Sequence, residues 1–388
     1  MRRDFDYIVL GLGGLGSAAA YWLSRRAGAD VLGLEQFELG HVRGESQDHS
    51  RIIRLSYHTP AYVELAKRAY AAWEALEREG GAQVVLRTGG LDLAPRVSAI
   101  PLESYSESMR AAGVPFEHLD AGEIMRRWPQ FRLTDDIHGL YQEQSGIAMA
   151  ARANEAHQRM AREHGATLRD RTAVTAIRAA RGEVDIEAGG VVYHAHRLAI
   201  AAGPWSNDAL GQLGLKLPLE VTQEQVTYFA SPRKRDFQPD RFPVWIWMDD
   251  PCYYGFPVFG EDGPKAAQDA GGKPVTADTR TFEPDPENSR RVREFLAKYL
   301  PGALGPEIYT KTCLYTLTPD RDFVIDAVPD ADGVFVAIGA GHAFKFASLI
   351  GKTLSELAFD GRAEADLTPF TIERPILKER APRKTYMV

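Results

Sequence analysis

The run from Asp6 to Glu35, DYIVLGLGGLGSAAAYWLSRRAGADVLGLE, restricts the fold of this chain more than any other segment. Tyr7 to Leu10 is short and apolar, as expected of a parallel strand covered on both faces, and Gly11-x-Gly13-x-x-Gly16 follows without a gap. The first glycine permits a sharp turn, the second lets a pyrophosphate approach bare backbone, and the third lets the next helix pack closely on the strand. Unpaired N–H groups at that helix start favour phosphate. Ala18, Ala19, Tyr21, Trp22 and Leu23 carry the helix, Gly28 ends it, and Val31 to Leu34 is a second strand. Glu35 then stands where a carboxylate takes the ribose hydroxyls of an adenosine. A GxGxxG by itself is weak, because glycine turns also serve packing; the helix, second strand and acid make it a dinucleotide site. The acid disfavours a 2′-phosphate, so FAD or NAD is expected rather than NADP.

The net charge of −7 gives no general attraction to nucleic acid or acidic membranes. Arg290-Arg291-Val292-Arg293 and the tail Arg380 to Lys384 read as solvated faces. Arg2 and Arg3 precede an apolar stretch, but Asp4 and Asp6 interrupt it, so no export signal is expected. No uncharged apolar run reaches the roughly 20 residues of a transmembrane helix. The two cysteines, Cys252 and Cys313, lie in surroundings that suggest no metal site, and a reduced, cytoplasmic protein is expected.

Beyond the first βαβ unit, Tyr62, Leu65, Ala69, Trp73 and Leu76 mark a helix over 60–79. Val84 to Leu93 is strand-like around a Gly89-Gly90 turn, and helices follow near 103–112 and 121–127. Ala148 to His164 reads as helix, Ala173 to Ile177 and Glu183 to Ile186 as strands, and Arg197 to Ala201 as a buried strand. That strand ends in Ala202-Gly203-Pro204-Trp205, either a place for backbone to lie against a cofactor or a plain tight turn. VTQEQVTYF, VWIWM and CYYGFPVF alternate as in an antiparallel sheet, and Trp245 and Trp247 share one face, toward substrate or toward core. Glu261 to Asp285 reads as a long loop, Ser289 to Tyr299 as a helix and Lys311 to Tyr315 as a strand. Val324 to Asp326 and Val334 to Ile338 return to the first domain. A second glycine turn, Gly339-Ala340-Gly341-His342, then leads into a helix over 344–359. A helix start there would stabilise the negative charge of a reduced flavin, or it is an ordinary βα turn. The expected fold is α/β plus antiparallel β. A Rossmann-type domain comes from 1–85, 145–215 and 315–388, and a substrate domain from 86–144 and 216–314.

With these features in order, the chain resembles the glutathione-reductase-type FAD amine oxidases, and within them the monomeric sarcosine oxidase and N-methyltryptophan oxidase group. The resemblance runs over nearly the full length. It is carried by the N-terminal turn, by His49-Ser50-Arg51-Ile52-Ile53-Arg54, Tyr253-Tyr254-Gly255-Phe256-Pro257, Cys313-Leu314-Tyr315-Thr316 and Gly341-His342-Ala343-Phe344-Lys345-Phe346. It implies FAD held by Gly11, Leu12, Gly13, Gly14, Leu15, Gly16, Glu35, Gln36, Gly44, Arg51, Val174, Ala202, Gly203, Trp205, Gly339, Gly341 and Lys345. It also implies a thioether from Cys313 to the 8α-methyl of the ring, for which Lys311 or Arg321 would lower the thiol pKa if close. Cys252 has no such match and reads as structural.

The resemblance places Arg54 and Lys345 on a substrate carboxylate, Tyr254 and Tyr315 around the amine, Arg51 near the ring, and Lys265 where a fixed charge serves oxygen, with Lys273 as a competitor. Two departures concern the substrate: Gln47 and Asp269 stand where the family often has histidine. The implied activity is oxidation of the C–N bond of an N-methyl amino acid such as sarcosine by hydride transfer to flavin N5. Oxygen would become H2O2, and formaldehyde would follow imine hydrolysis, in a monomer without nucleic-acid or membrane partners. Alternatives are a cyclic imino acid (pipecolate or proline) or Amadori-type substrate, a dehydrogenase with another acceptor, or a non-catalytic nucleotide sensor.

Overall fold

The computed structural model describes residues 2–379 and Pro382, so all but one residue of the basic tail Arg380 to Lys384 lies outside the described residues. An eight-stranded sheet carries the glycine turn. Its order is Val174–Ala180, Glu183–Ala188, Val191–Ile200, Asp4–Leu10, Val31–Leu34 and Thr167–Arg169, with Val334–Ile338 also paired to Val191–Ile200 and Val324–Ala327 to Val334–Ile338. Asp4–Leu10 runs parallel to both neighbours, and Ile8, Leu32 and Leu198 meet at one level, each fully buried. Such strands need cover on both faces, which explains their unbroken apolar runs. The helix Gly14–Ala27 packs on one face against Ala150–Glu163 and Ala347–Asp360.

The second sheet has nine strands, ordered Lys273–Val275, Glu220–Phe229, Lys265–Gln268, Tyr253–Phe256, Val244–Trp247, Gly90–Pro95, Ile137–Gln142 and Glu117–Asp120. Glu307–Leu317 also pairs antiparallel with Glu220–Phe229. Alternation divides its two faces. Trp245, Trp247 and Tyr253 pack on Phe295 of the covering helix Pro286–Tyr299, so both tryptophans belong to the core. Ile246 and Tyr254 point the other way, into a chamber between the sheets. A three-stranded sheet, Ser50–Ile53, Gly146–Met149 and Val85–Arg87, sets Arg51 beside that chamber.

Three local expectations change. The segment 261–285 is not one long loop: Lys265–Gln268 and Lys273–Val275 are strands, because Ala266 and Ala267 are small enough to be buried between Glu220–Phe229 and Tyr253–Phe256. Ala148 and Met149 end a strand, and the helix begins at Ala150. The helix expected from Ser289 starts at Pro286, where the Asp285 carboxylate accepts from the Glu287 N–H and proline fits the first turn. Arg290 forms ion pairs with Glu287 and Glu294 on the surface of this helix. Among the described residues no helix is long and apolar enough to cross a membrane, and no His, Cys, Asp and Glu group is arranged to hold a metal.

Candidate active site

A channel of about 970 Å³, open mouth included, starts at the first glycine turn. Gly11, Gly13, Gly14, Leu15, Glu35, Gln36, Gly44, Val174, Ala202, Gly203, Trp205 and Gly339 line it, so these expected cofactor contacts from four chain segments do converge. A Cβ on Gly16 would lie 1.8 Å from the Gly11 carbonyl oxygen, and Gly11 has φ +85° with Ala201 O 2.5 Å from where its Cβ would be. Side chains at either position would force the turn apart. Gly16 therefore acts beneath the channel wall. Leu12 does not line the channel: its N–H donates to Glu35 Oε2 at 2.9 Å, and its side chain packs at Gly33. The Phe37 N–H donates to the other Glu35 oxygen at 3.1 Å, and His41 lies 3.4 Å away. Although burial works against the charge, these donors keep the Glu35 carboxyl below its ordinary pKa, as an acceptor ready for hydroxyls.

The channel continues into a chamber of about 1240 Å³, and Gly14, Leu15, Glu45, Ser46 and Gly339 belong to both. Arg51, Arg54, Tyr254, Lys265, Cys313, Tyr315, Gly341 and Lys345 all line it, although they come from every part of the chain. Burial lifts the Tyr254 and Tyr315 hydroxyls above their ordinary range, so both stay protonated donors.

Charge is distributed unevenly at the chamber's far end. Arg54, buried, places Nη1 3.3 Å from Asp92 Oδ1, with its guanidinium 4.9 Å from the centroid of the Tyr57 ring. Arg321 directs both Nη atoms to Asp269 Oδ2 at 3.3 Å. The Nζ of Lys345 has no hydrogen-bond partner among the described residues; burial and nearby Arg54 bring its pKa down to about 7. Burial, with Lys345 and Arg321 beside it, keeps His342 neutral, and its Nε2–H donates to the Arg321 carbonyl at 2.7 Å. Two arginines thus have acids, and one lysine waits for an anion. Ile100, Ile246 and Met248 supply apolar wall next to these groups.

Cys313 lines the chamber with its thiol pushed up to about 12 by burial. Arg51 is the cation that opposes this; the expectation that Lys311 or Arg321 lowers the thiol is not met. Gln47 donates to the carbonyl of Thr312, and Arg280 donates to the same carbonyl and to the Thr312 hydroxyl, so the strand is clamped just before the cysteine. Cys252, read as structural, also lines the chamber. Lys273 is exposed and pairs with Asp285, which removes it as a rival to Lys265. Sequence reasoning missed Asp48, Asp92 and Glu45. Asp92 left a signal, as the one charge in the buried run Gly90 to Ala94. Glu45, lifted to about 7 by burial, left none.

Comparison with known proteins shows the family. Residues 6–357 match the family DAO, FAD dependent oxidoreductase. The chain is 32% identical over 385 residues to the monomeric sarcosine oxidase of Arthrobacter sp. (strain TE1826), covering 98% of this chain and 99% of the relative. It is 32% identical over 377 residues to the N-methyl-L-tryptophan oxidase of Escherichia coli O139:H28 (strain E24377A / ETEC), covering 95% and 99%. Among solved structures it superposes with TM-score 0.85 and 25% identity on NikD, an unusual amino acid oxidase essential for nikkomycin biosynthesis, over 98% of this chain and 100% of that one.

Proposed function

Since this chain belongs to the DAO family of FAD dependent oxidoreductases, we propose that it oxidises the C–N bond of a secondary, N-methyl type amino acid such as sarcosine, with dioxygen as acceptor. The observation that carries this reading is Lys345, a half-buried lysine with no acid in hydrogen-bond contact, next to Arg54 in the chamber that continues from the glycine-lined channel. The residues suit the group: Gly11 and Gly13 present backbone without side chains to the channel, and the Glu35 carboxylate stands ready for ribose. Bound there, FAD supplies a two-electron sink that takes a hydride equivalent at N5 and passes the pair to oxygen, giving H2O2.

Lys345 and Arg54 anchor the substrate carboxylate, one as a mobile point charge and one as a planar fork. Tyr254 and Tyr315, both protonated, shape the amine side. The apolar wall excludes water and favours an amine that enters without its proton. Lys265 supplies the positive charge that meets dioxygen as it gains an electron. Cys313 is the point of covalent attachment. The segments 1–85, 145–215 and 315–388 hold FAD and the remainder holds substrate, in a protein that works as a monomer, the state named for the sarcosine oxidase relatives. Water then releases formaldehyde from the N-methyl imine.

The test is anaerobic bleaching of the flavin band by a panel of N-methyl and cyclic amino acids. Sarcosine-type compounds are expected to bleach it fastest and dimethylamine, which lacks the carboxylate, not at all. Bleaching by pipecolate or proline alone would move the substrate to the cyclic class, and equal bleaching by dimethylamine would remove the carboxylate anchor.

A further inference from the structure

Lys265 is held from several sides. Its Nζ donates to Asp48 Oδ2 at 2.9 Å and to the Ser50 carbonyl at 3.0 Å, and the side chains of Lys265 and Asp48 are only 2% and 4% exposed. The Tyr228 hydroxyl donates to both Asp48 oxygens, at 2.9 and 3.1 Å, and the Tyr228 ring stacks on Tyr309 at 5.4 Å. Asp48 sits at φ +80°, a region that residues with a side chain seldom enter, so its aim is fixed by unusual backbone. The ring of Phe256 lies 4.1 Å from Nζ.

A buried ammonium keeps its proton only when something offsets the lost water. Around Lys265 the titratable neighbours are Asp48, Arg51, Cys313 and Tyr228, whose ring centroid lies 5.5 Å from Nζ and whose hydroxyl burial and Asp48 keep protonated. Arg51 is a like charge that opposes protonation, and Cys313 is a thiol lifted by burial. Asp48 is the anion in contact, and Lys265 and Arg51 hold its carboxyl well below the usual range despite burial. We propose that Asp48 is a positioning residue of the oxygen half-reaction, keeping Lys265 protonated and aimed into the chamber, and that without it the lysine is a neutral amine. This rests on the reading of Lys265 as the charge that meets dioxygen. Burial brings Lys265 down to about 8 with the acid in contact, and removing Asp48 takes away the contact that opposes this fall.

The experiment compares holoenzymes of wild type, Asp48→Asn and Lys265→Met by stopped flow, measuring anaerobic reduction and reoxidation by oxygen separately between about pH 6 and 9. Asp48→Asn is expected to reoxidise several-fold more slowly than wild type near neutrality, because a smaller fraction of the lysine is charged there. Its reduction should be unchanged, and its reoxidation should recover as pH falls. Adding Lys265→Arg to Asp48→Asn should restore much of the rate at neutral pH, since a guanidinium stays charged. Sulfite binding, read without turnover from bleaching of the flavin, should weaken in parallel, because its adduct carries negative charge.

Wild-type reoxidation and sulfite affinity in Asp48→Asn across the range, or faster reoxidation, would overturn the proposal. If Lys265→Met itself reoxidises normally, the reading of Lys265 fails instead; a slow Lys265→Met beside a normal Asp48→Asn removes the role of Asp48 alone. Where Asp48→Asn loads no FAD, Asp48→Glu, which keeps the charge, is expected to stay within about threefold of wild type. A fall as deep as that of Lys265→Met would then count against the proposal.

Discussion

The adenosine channel and the ring chamber meet at Gly14, Glu45 and Gly339, yet they are built on opposite plans. The channel is rich in small residues: two glycine turns, Ala202 and Gly203, with the Glu35 acid held by two N–H groups. The chamber is mostly side chain, with Lys265, Lys345, Arg51, Arg54 and Arg321 drawn from separate segments and three acids set against them. A site made of backbone has a fixed shape and fixed dipoles, so it recognises a constant ligand. A site made of paired charges can change its selectivity by one substitution, and its groups titrate.

If that contrast is right, Gly16→Ala should have the largest effect. A methyl 1.8 Å from the Gly11 oxygen cannot be absorbed by turning a side chain, and the purified variant is expected to carry no FAD by its visible spectrum. A fully loaded, yellow Gly16→Ala protein would break the comparison. Next comes Lys345→Met, expected to load FAD normally while kcat/KM falls by roughly 10² to 10³, the range for losing one partner of a buried charge contact. The sign with pH follows from the ammonium: with a pKa of about 7 it holds carboxylate below that value, so kcat/KM should decline as pH rises above it. In Lys345→Arg that decline should move to higher pH.

Cys313→Ala lies between the two regimes. It should keep FAD, because the channel carries the binding, but release it on acid precipitation, leaving a white pellet where wild type leaves a yellow one. A yellow Cys313→Ala pellet would place the attachment elsewhere. The smallest effect asks whether the scaffold behind the channel titrates. His157 is buried beside Trp73 and Tyr21, and burial pulls its pKa from 6.5 to about 3. Its folded pKa lies below its unfolded one, so the unfolded chain binds more protons between them, and stability should fall as pH drops below 6.5 towards 3. Urea midpoints should show that slope in wild type and a shallower one in His157→Phe, with a ceiling of about 1.4 kcal/mol per pH unit.

What was legible in the sequence follows the same division. The glycine turns were readable because a positive φ or a close backbone approach leaves its mark within a few residues. The antiparallel face could be read from alternation, and only the side taken by Trp245 and Trp247 needed the third dimension. The chamber's cations were found through family motifs, and Asp269 through its departure from them, but Asp48 and Asp92 were not: Asp48 and Lys265 are 217 positions apart, and no local rule joins them. Lys265 itself was assigned to a loop because Gly, Pro and Asp surround it. Two small alanines instead carry it into a sheet, where pairing rather than local propensity decides.

The strand Val334–Ile338 and the turn after it complete both halves of the cavity, although Gly11 begins it. On the ribosome the first glycine turn is made hundreds of residues before its counterpart. A chain cut short before Val334 would lack Ala337 and Gly339 from the channel and Gly339 and Gly341 to Lys345 from the chamber. FAD retention is thus expected to require the strand Val334–Ile338 and the turn after it, which the visible spectrum of a chain cut before Val334 would check.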